Sequence, residues 1–243
     1  MTSWPQGYGK VQHPELDSTN EEARRLAQGG EAGPLWITAA RQTAGRGRRG
    51  RVWDAGEGNL AASLLLWPTA PEAVIGQLSF VAALAVAEMA AHFAPQAVIQ
   101  VKWPNDVLGN GKKLAGILLE SGQDGAGRWL AIGIGVNLAS FPQAAEYPAT
   151  SLAQLGIAPP SSDMGVCVLA ARFAHWYDVW MSEGFEIVRT AWLARAGGLG
   201  AAICARLPHE TRTGIFEGID ASGALLLSEQ GNVRAIAAGE VFF

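Results

Sequence analysis

Between residues 97 and 136 the chain offers three extended segments joined by turns too short to hold a crossover helix, and this limits the fold more than any other feature. Residues 97–102 read as a strand that stops at Trp103-Pro104-Asn105-Asp106, because proline cannot donate to a ladder. Asn110-Gly111 marks a hairpin turn between Val107-Leu108 and a strand over 114–120, since both residues of such a turn favour positive φ. A glycine-rich turn over 122–127 then leads into a strand over 128–136. Hairpins pair neighbours antiparallel, whereas parallel strands need a dozen or more residues between them. The class predicted is therefore α+β with a mixed, mostly antiparallel sheet, not a βαβ array.

The flanks fit that frame. Ser18 to Glu21 and Thr19 to Glu22 are overlapping Ser/Thr-x-x-Glu patterns, so a capped helix starts there, and Gly29-Gly30 ends it. Strands are predicted over 35–40 and over 59–67, the second closed by Pro68. The most hydrophobic stretch, 74–91, is interrupted by Gly76, Gln77, Ser79 and Glu88 and is short for a membrane span, so it reads as a buried core helix. Helices are predicted over 162–181 and 185–194, joined at Gly184 and closed by Gly197-Gly198. Beyond Gly200 the texture changes to short strands over 201–207, 213–219, 224–227 and 234–237, with a turn at Asp220-Ala221-Ser222-Gly223. Two domains are expected, 1–197 and a small β-barrel over 198–243.

The chemistry is concentrated upstream. Gln42-Thr43-Ala44-Gly45-Arg46-Gly47-Arg48-Arg49-Gly50-Arg51 places four arginines and three glycines in seven positions. Glycines let backbone approach a ligand, and guanidinium forks match phosphate and carboxylate oxygens, so the loop reads as an anion trap for a phosphate ester. It satisfies the letters of the dinucleotide fingerprint, but the turn-rich stretch from Val52 to Asn59 follows where a helix should open. A phosphate loop fails as well, because Arg51 and Val52 stand where lysine and a metal-binding hydroxyl belong. Like charges repel, and an anion is expected to neutralise them.

Composition narrows the partners. With 49% hydrophobic and 16% charged residues the chain is globular, and a net charge of -4 argues against general nucleic-acid affinity. Cys167 and Cys204 lack partner spacing, and His13, His92, His175 and His209 form no i, i+4 pair, so neither a disulfide framework nor a protein-held metal site is expected. The start of the chain carries no signal-sequence pattern, which points to the cytoplasm.

Five segments in order, Ser18-Thr19-Asn20, the 45–51 loop with Trp53, Lys102-Trp103-Pro104-Asn105-Asp106, Lys113-Leu114-Ala115-Gly116-Ile117-Leu118 and Gly133-Ile134-Gly135-Val136-Asn137, resemble the biotin protein ligase family. The tail, with Gly218-Ile219-Asp220 and Gly239-Glu240, resembles that family's SH3-like barrel. The resemblance implies the catalytic fold shared by biotin and lipoate ligases and class II aminoacyl-tRNA synthetases. It also implies a two-step reaction, in which biotin and ATP with Mg2+ give biotinyl-5′-adenylate and a lysine of a biotin carboxyl carrier protein then takes the acyl group. A carboxylate is already ionised at pH 7 and needs no general base, which agrees with the lack of a Ser-His-Asp or Cys-His set.

By position the resemblance places Ser18, Thr19 and Gln42 at the biotin ring system, with helix capping an equal reading for the two hydroxyls. Gly45 and Arg46 fall at the biotin tail and carboxylate, Trp53 at an apolar wall, and Gly116 and Gly135 where backbone lies against biotin. Arg48, Arg49 and Arg51 belong to the loop closing over the adenylate. Lys102, Asn105 and Asn137 resemble residues at the nucleotide phosphates and metal, although Asn105 also reads as a turn residue. Lys113, bridging the biotin carboxylate and the α-phosphate, and Arg48 are the catalytic candidates, and Asp106 is a candidate to orient the incoming lysine. Only 15 residues precede Leu16, so the DNA-binding winged helix of bifunctional members is not expected. A monomer or homodimer without nucleic-acid or membrane partners is the expectation. A lipoate or octanoate transferase of related fold, or a nucleotide-sensing regulator, are the competing readings.

Overall fold

The computed structural model describes residues 3–53, 56–125, 127–143 and 147–243. Met1 of the N-terminal segment, Asp54 and Ala55 of the turn-rich stretch, and Ala126 of the glycine-rich turn lie outside them.

In chain order the elements are β1 (Gly9–Leu16), α1 (Thr19–Gln28), β2 (Leu35–Gln42), β3 (Leu60–Leu66), α2 (Glu72–Ile75), α3 (Leu78–Phe93), β4 (Ile99–Lys102), β5 (Asp106–Gly109), β6 (Lys112–Asp124) and β7 (Gly127–Val136). They continue with α4 (Ser162–Glu183), α5 (Phe185–Leu193), β8 (Ala202–Arg206), β9 (Thr211–Ile219), β10 (Leu225–Glu229), β11 (Asn232–Ile236) and β12 (Glu240–Phe242). Among the described residues, β1 to β7 form one sheet in the order β1-β2-β3-β7-β6-β5-β4, and β8 to β12 form an antiparallel sheet in the order β11-β10-β9-β8-β12. In the first sheet β1 and β2 run parallel and the remaining pairs antiparallel, so the class predicted from the hairpins holds.

Both faces of this sheet are covered, which explains why β3 is apolar at every position but Ser63. Leu64 and Leu66 join a core with α3 and α4, while Leu65 points to the other face and packs with Ala23 and Ala27 of α1, Ile37 and Trp129. Alternation along a strand demands this split. α3 is buried on nearly all sides, from Leu78 to Ala90. The 22-residue stretch Glu72–Phe93 has the length and apolarity of a membrane span, but 72% of its most apolar window is buried inside the protein.

The structure departs from the sequence reading at several places. The helix over 74–91 is broken at Gly76-Gln77, where the Gln77 side chain accepts from Trp180 Nε1 at 2.9 Å and donates to the Ala221 carbonyl at 3.2 Å. The capping boxes are not formed. Ser18 holds the extended N-cap conformation, but its side chain makes no capping bond; its backbone N–H donates to Asp17 Oδ1 at 2.7 Å, while Glu21 is held by Arg24 and Arg46, and Glu22 by Arg25. The 122–127 turn is shorter than its glycines suggest, since β6 and β7 pair as far as Asp124 with Gly127. β1 and β12 have no counterpart in the sequence reading. β1 is an exposed edge strand carrying Pro14, and β12 has only three residues.

The two sheets share one core, to which Phe80, Trp103 and Trp192 contribute on one side and Phe216, Ile219, Leu225 and Val241 on the other. Trp103 Nε1 donates to the Gly223 carbonyl at 3.0 Å, and Arg189 donates to that of Ile219 at 2.9 Å. This seam puts the end of the chain beside the 45–51 loop.

Candidate active site

A cleft of about 420 Å³ opens where the start of α1, the 45–51 loop, β5 to β7 and β12 meet. It brings together Ser18, Thr19, Gln42, Arg46, Arg48, Arg51, Trp53, Lys102, Asn105, Lys113, Gly116, Gly135 and Asn137. Gly45 and Arg49 do not line it. Gly45 closes the loop, its carbonyl accepting from Trp53 N at 2.9 Å, and a side chain there would overlap the Trp53 backbone. Arg49 has a φ of 57° and turns toward Glu240, 3.7 Å away.

One end of the cleft is hydroxyl-lined and apolar. The Gln42 side-chain oxygen Oε1 accepts from the Thr19 backbone N–H at 2.8 Å and from its hydroxyl at 3.1 Å. The Trp53 indole covers Gly116 and Gly135, and any side chain at Gly135 would overlap it. These two glycines admit a ring against backbone, and in this structure that ring is Trp53.

The other end is cationic. Lys113 Nζ lies 2.7 Å from Asp106 Oδ1 and 5.8 Å from the centroid of the Trp53 ring. Lys102 is only 5% exposed and sits 3.6 Å over the Tyr147 ring, with Phe242 and Phe243 at 5.3 and 5.7 Å. Burial pushes its ammonium down to about 8, and neighbouring Lys113 and Arg51 act in the same direction, against Asp106 and Glu240. Burial likewise lowers the pKa of Arg48, whose Nη1 reaches Asn105 Oδ1 and the Gly239 carbonyl, each at 3.3 Å. Asn105 in turn donates to Ile117 O at 2.6 Å, so it ties the loop to β6. Asn137 donates to Thr150 O at 3.0 Å, while its Oδ1 is buried without a partner.

The expectation that only an anion could neutralise the arginine loop is corrected by its carboxylate neighbours. Arg46 pairs with Glu21 at 2.8 Å and with Glu120 at 3.5 Å, and Arg51 pairs with Glu240 at 2.9 Å. The loop is a closed turn, with Gly47 N donating to Arg51 O at 2.7 Å. Sequence reasoning also gave no role to Ser63, Glu120, Tyr147, Phe242 and Phe243, and it left Glu240 as part of a tail motif only. Ser63 had a visible signal, a lone hydroxyl within the apolar run of β3. The aromatic residues had none, because their convergence on Lys102 depends on how the chain end docks. Among the described residues, no group of three or more His, Cys, Asp or Glu side chains could hold a metal.

Residues 12–137 match the model of the biotin/lipoate A/B protein ligase family, and residues 198–243 match that of the biotin protein ligase C-terminal domain. The chain is 46% identical to a biotin–[acetyl-CoA-carboxylase] ligase of Paracoccus denitrificans, over 93% of this chain and 97% of that one. It is 33% identical to the enzyme of the same name from Mycobacterium tuberculosis, over 93% and 86% of the two chains. In structure it resembles the biotin protein ligase of Aquifex aeolicus in complex with biotin and ATP, with a TM-score of 0.84, 28% identity, and coverage of 96% and 97%.

Proposed function

The chain belongs to the biotin protein ligase family, and on that premise we propose how the cleft carries out the ligation. The enzyme is a biotin–protein ligase: biotin and ATP combine to biotinyl-5′-adenylate, and a carrier protein receives the biotinyl group. A lipoate or octanoate transferase, and a regulator without turnover, are not favoured.

Biotin lies with its ring system toward Thr19 and Gln42 and its carboxylate toward Lys113. The carboxylate oxygen attacks the α-phosphorus, the bond to the β-phosphate oxygen breaks, and pyrophosphate leaves. Lys113 Nζ neutralises the charge growing between carboxylate and α-phosphate, and Lys102 and Arg48 receive the phosphates. One such preorganised donor contributes about 10²–10³ in rate. In the second step the amine of the carrier lysine attacks the acyl carbon and AMP leaves. Asp106 stands 2.7 Å from Lys113 and is the carboxylate placed to accept the proton of that amine.

Magnesium enters as the counter-ion of ATP, held mainly by substrate phosphates. The buried, unpartnered Oδ1 of Asn137 fits as the protein oxygen beside it. ATP and a carrier are both met in the cytoplasm, the compartment assigned in this reading, and the carrier is the biotin carboxyl carrier part of a biotin-dependent carboxylase.

The reading is carried by one juxtaposition, a hydroxyl-lined apolar end and a cationic end within a single cleft. Pyrophosphate release with ATP and biotin, lipoate or octanoate tests it. Release with biotin alone is expected, and release that needs lipoate or octanoate would reject it.

A further inference from the structure

Arg46 behaves unlike the other arginines of the 45–51 loop. Arg48, Arg49 and Arg51 turn to Asn105, Gly239 and Glu240 at the phosphate end, whereas Arg46 turns to two carboxylates on two other elements. Its Nη2 lies 2.8 Å from Glu21 Oε2 of α1 and 3.5 Å from Glu120 Oε1 of β6. One side chain thereby ties the loop to both a helix and the sheet.

Both acceptors are held from behind. Arg24 takes Oε1 of Glu21, and Asn20 Nδ2 donates to Glu120 Oε2 at 2.7 Å, Asn20 itself receiving the Ser63 hydroxyl proton at 2.6 Å. Arg46 holds the Glu21 carboxyl below the usual carboxylate range, against its partial burial and with help from Arg24. The root of the Arg46 side chain is fixed as well, since Arg46 and Val52 form an antiparallel bridge at the neck of the loop. An exposed ion pair between two free side chains contributes little, because both must be ordered to make it. Here root and acceptors are ordered beforehand.

The reacting cation lies elsewhere. Lys113 Nζ would stand 3.5 Å from a Cβ on Gly116, and Glu120 is four residues further along β6, ~13 Å of strand. Lys113 and Arg46 therefore mark different ends of the cleft. We propose that Arg46 is a bar across the ring end: with Glu21 and Glu120 it holds the first arm of the loop shut over the bound ring and sets how long biotin stays, without meeting the carboxylate that reacts. The proposal rests on the placement of the biotin ring at Thr19 and Gln42. All three are positioning residues, since none of them touches the reacting atoms.

The family resemblance implies another role for Arg46, a contact at the biotin tail and carboxylate. Such a cation would bind biotin more tightly once Glu21 and Glu120 no longer compete for it; a bar would be released. The two roles have opposite signs. Release of radiolabelled biotin into an excess of unlabelled biotin, without ATP, separates them. Glu21→Gln combined with Glu120→Gln is expected to speed release at least ~3-fold, while adenylate formation at saturating biotin and ATP stays within ~2-fold of native. Glutamine at 120 keeps an oxygen for Asn20, so the wall behind the ring is preserved. Arg46→Ala is expected to speed release by at least as much, and the two glutamines should add nothing in that background, because the pairs they weaken are already gone. The three side chains are 19%, 37% and 45% exposed, and substitutions at such positions barely move stability. Release from the double-glutamine variant less than ~3-fold faster than native, an acceleration that persists in full in Arg46→Ala, or adenylate formation slowed as much as release is sped, overturns the proposal. A native enzyme that retains no biotin rejects the placement of the ring itself, a failure distinct from native retention that the variants leave unchanged.

Discussion

Lys102 shows how much a residue's neighbours decide beyond its place in the sequence. The family resemblance makes it a candidate cation for the nucleotide phosphates, but the aromatic enclosure by Tyr147, Phe242 and Phe243 has no local signal, since it joins residues up to 141 positions apart. Burial lowers its pKa from 10.5 to about 8. The folded protein therefore sheds this proton first as pH rises. Below about pH 8 both folded and unfolded forms are protonated and the penalty of a buried charge is complete; between about 8 and 10.5 the penalty is relieved, so this group's contribution to stability improves with pH. Nucleotide binding has the opposite requirement, because a triphosphate selects the charged ammonium. KM for ATP is accordingly expected to rise above about pH 8, with Lys102→Arg flattening that rise, since a guanidinium stays charged throughout. A KM for ATP that is level from pH 7 to 9.5 in the native enzyme would contradict a Lys102 of lowered pKa at the phosphate site. Ser63 makes the same point for polar groups: a hydroxyl in an apolar strand was visible, its partners on α1 and β6 were not.

Elements with strong local signals were readable, and those defined by their partners were not. The Asn110-Gly111 hairpin and the helix stops at Gly29 and Gly184 follow from backbone chemistry alone. β1 is a strand only because β2 lies beside it, and its sequence, with Pro14 and alternating exposure, looks like an edge segment. β12 likewise exists through β8, and it delivers Glu240 to the arginine loop. The sequence pattern suggests an anion trap; that the chain supplies its own carboxylates has no local signal. Arg49 and Arg51 both face Glu240, so Glu240→Gln should loosen the turn over 46–51. Faster amide hydrogen exchange there is expected in the ligand-free variant, restored to the native level by saturating biotin and ATP. Exchange identical to native without ligand would show that the pairing does not order the loop.

At the scale of the whole molecule, two sheets share a core and the cleft lies on their seam, so the C-terminal β unit contributes to the site instead of standing apart from it. Hairpin spacing foretold the larger sheet and the change of texture after Gly200 foretold the smaller one, but their seam depends on contacts such as Trp103 with Gly223, which no local pattern announces. In the proposed mechanism this one cleft joins a biotin carboxylate to the α-phosphate of ATP, with Lys113 as the cation at the reacting atoms. Incubating the enzyme with biotin and ATP, without carrier protein, and analysing the bound small molecules measures it directly. Biotinyl-5′-adenylate is expected on the native enzyme, formed at least ~100-fold more slowly in single turnover by Lys113→Ala, while the melting temperature hardly moves. Absence of that adenylate from the native enzyme, or an undiminished rate in folded Lys113→Ala, would contradict it.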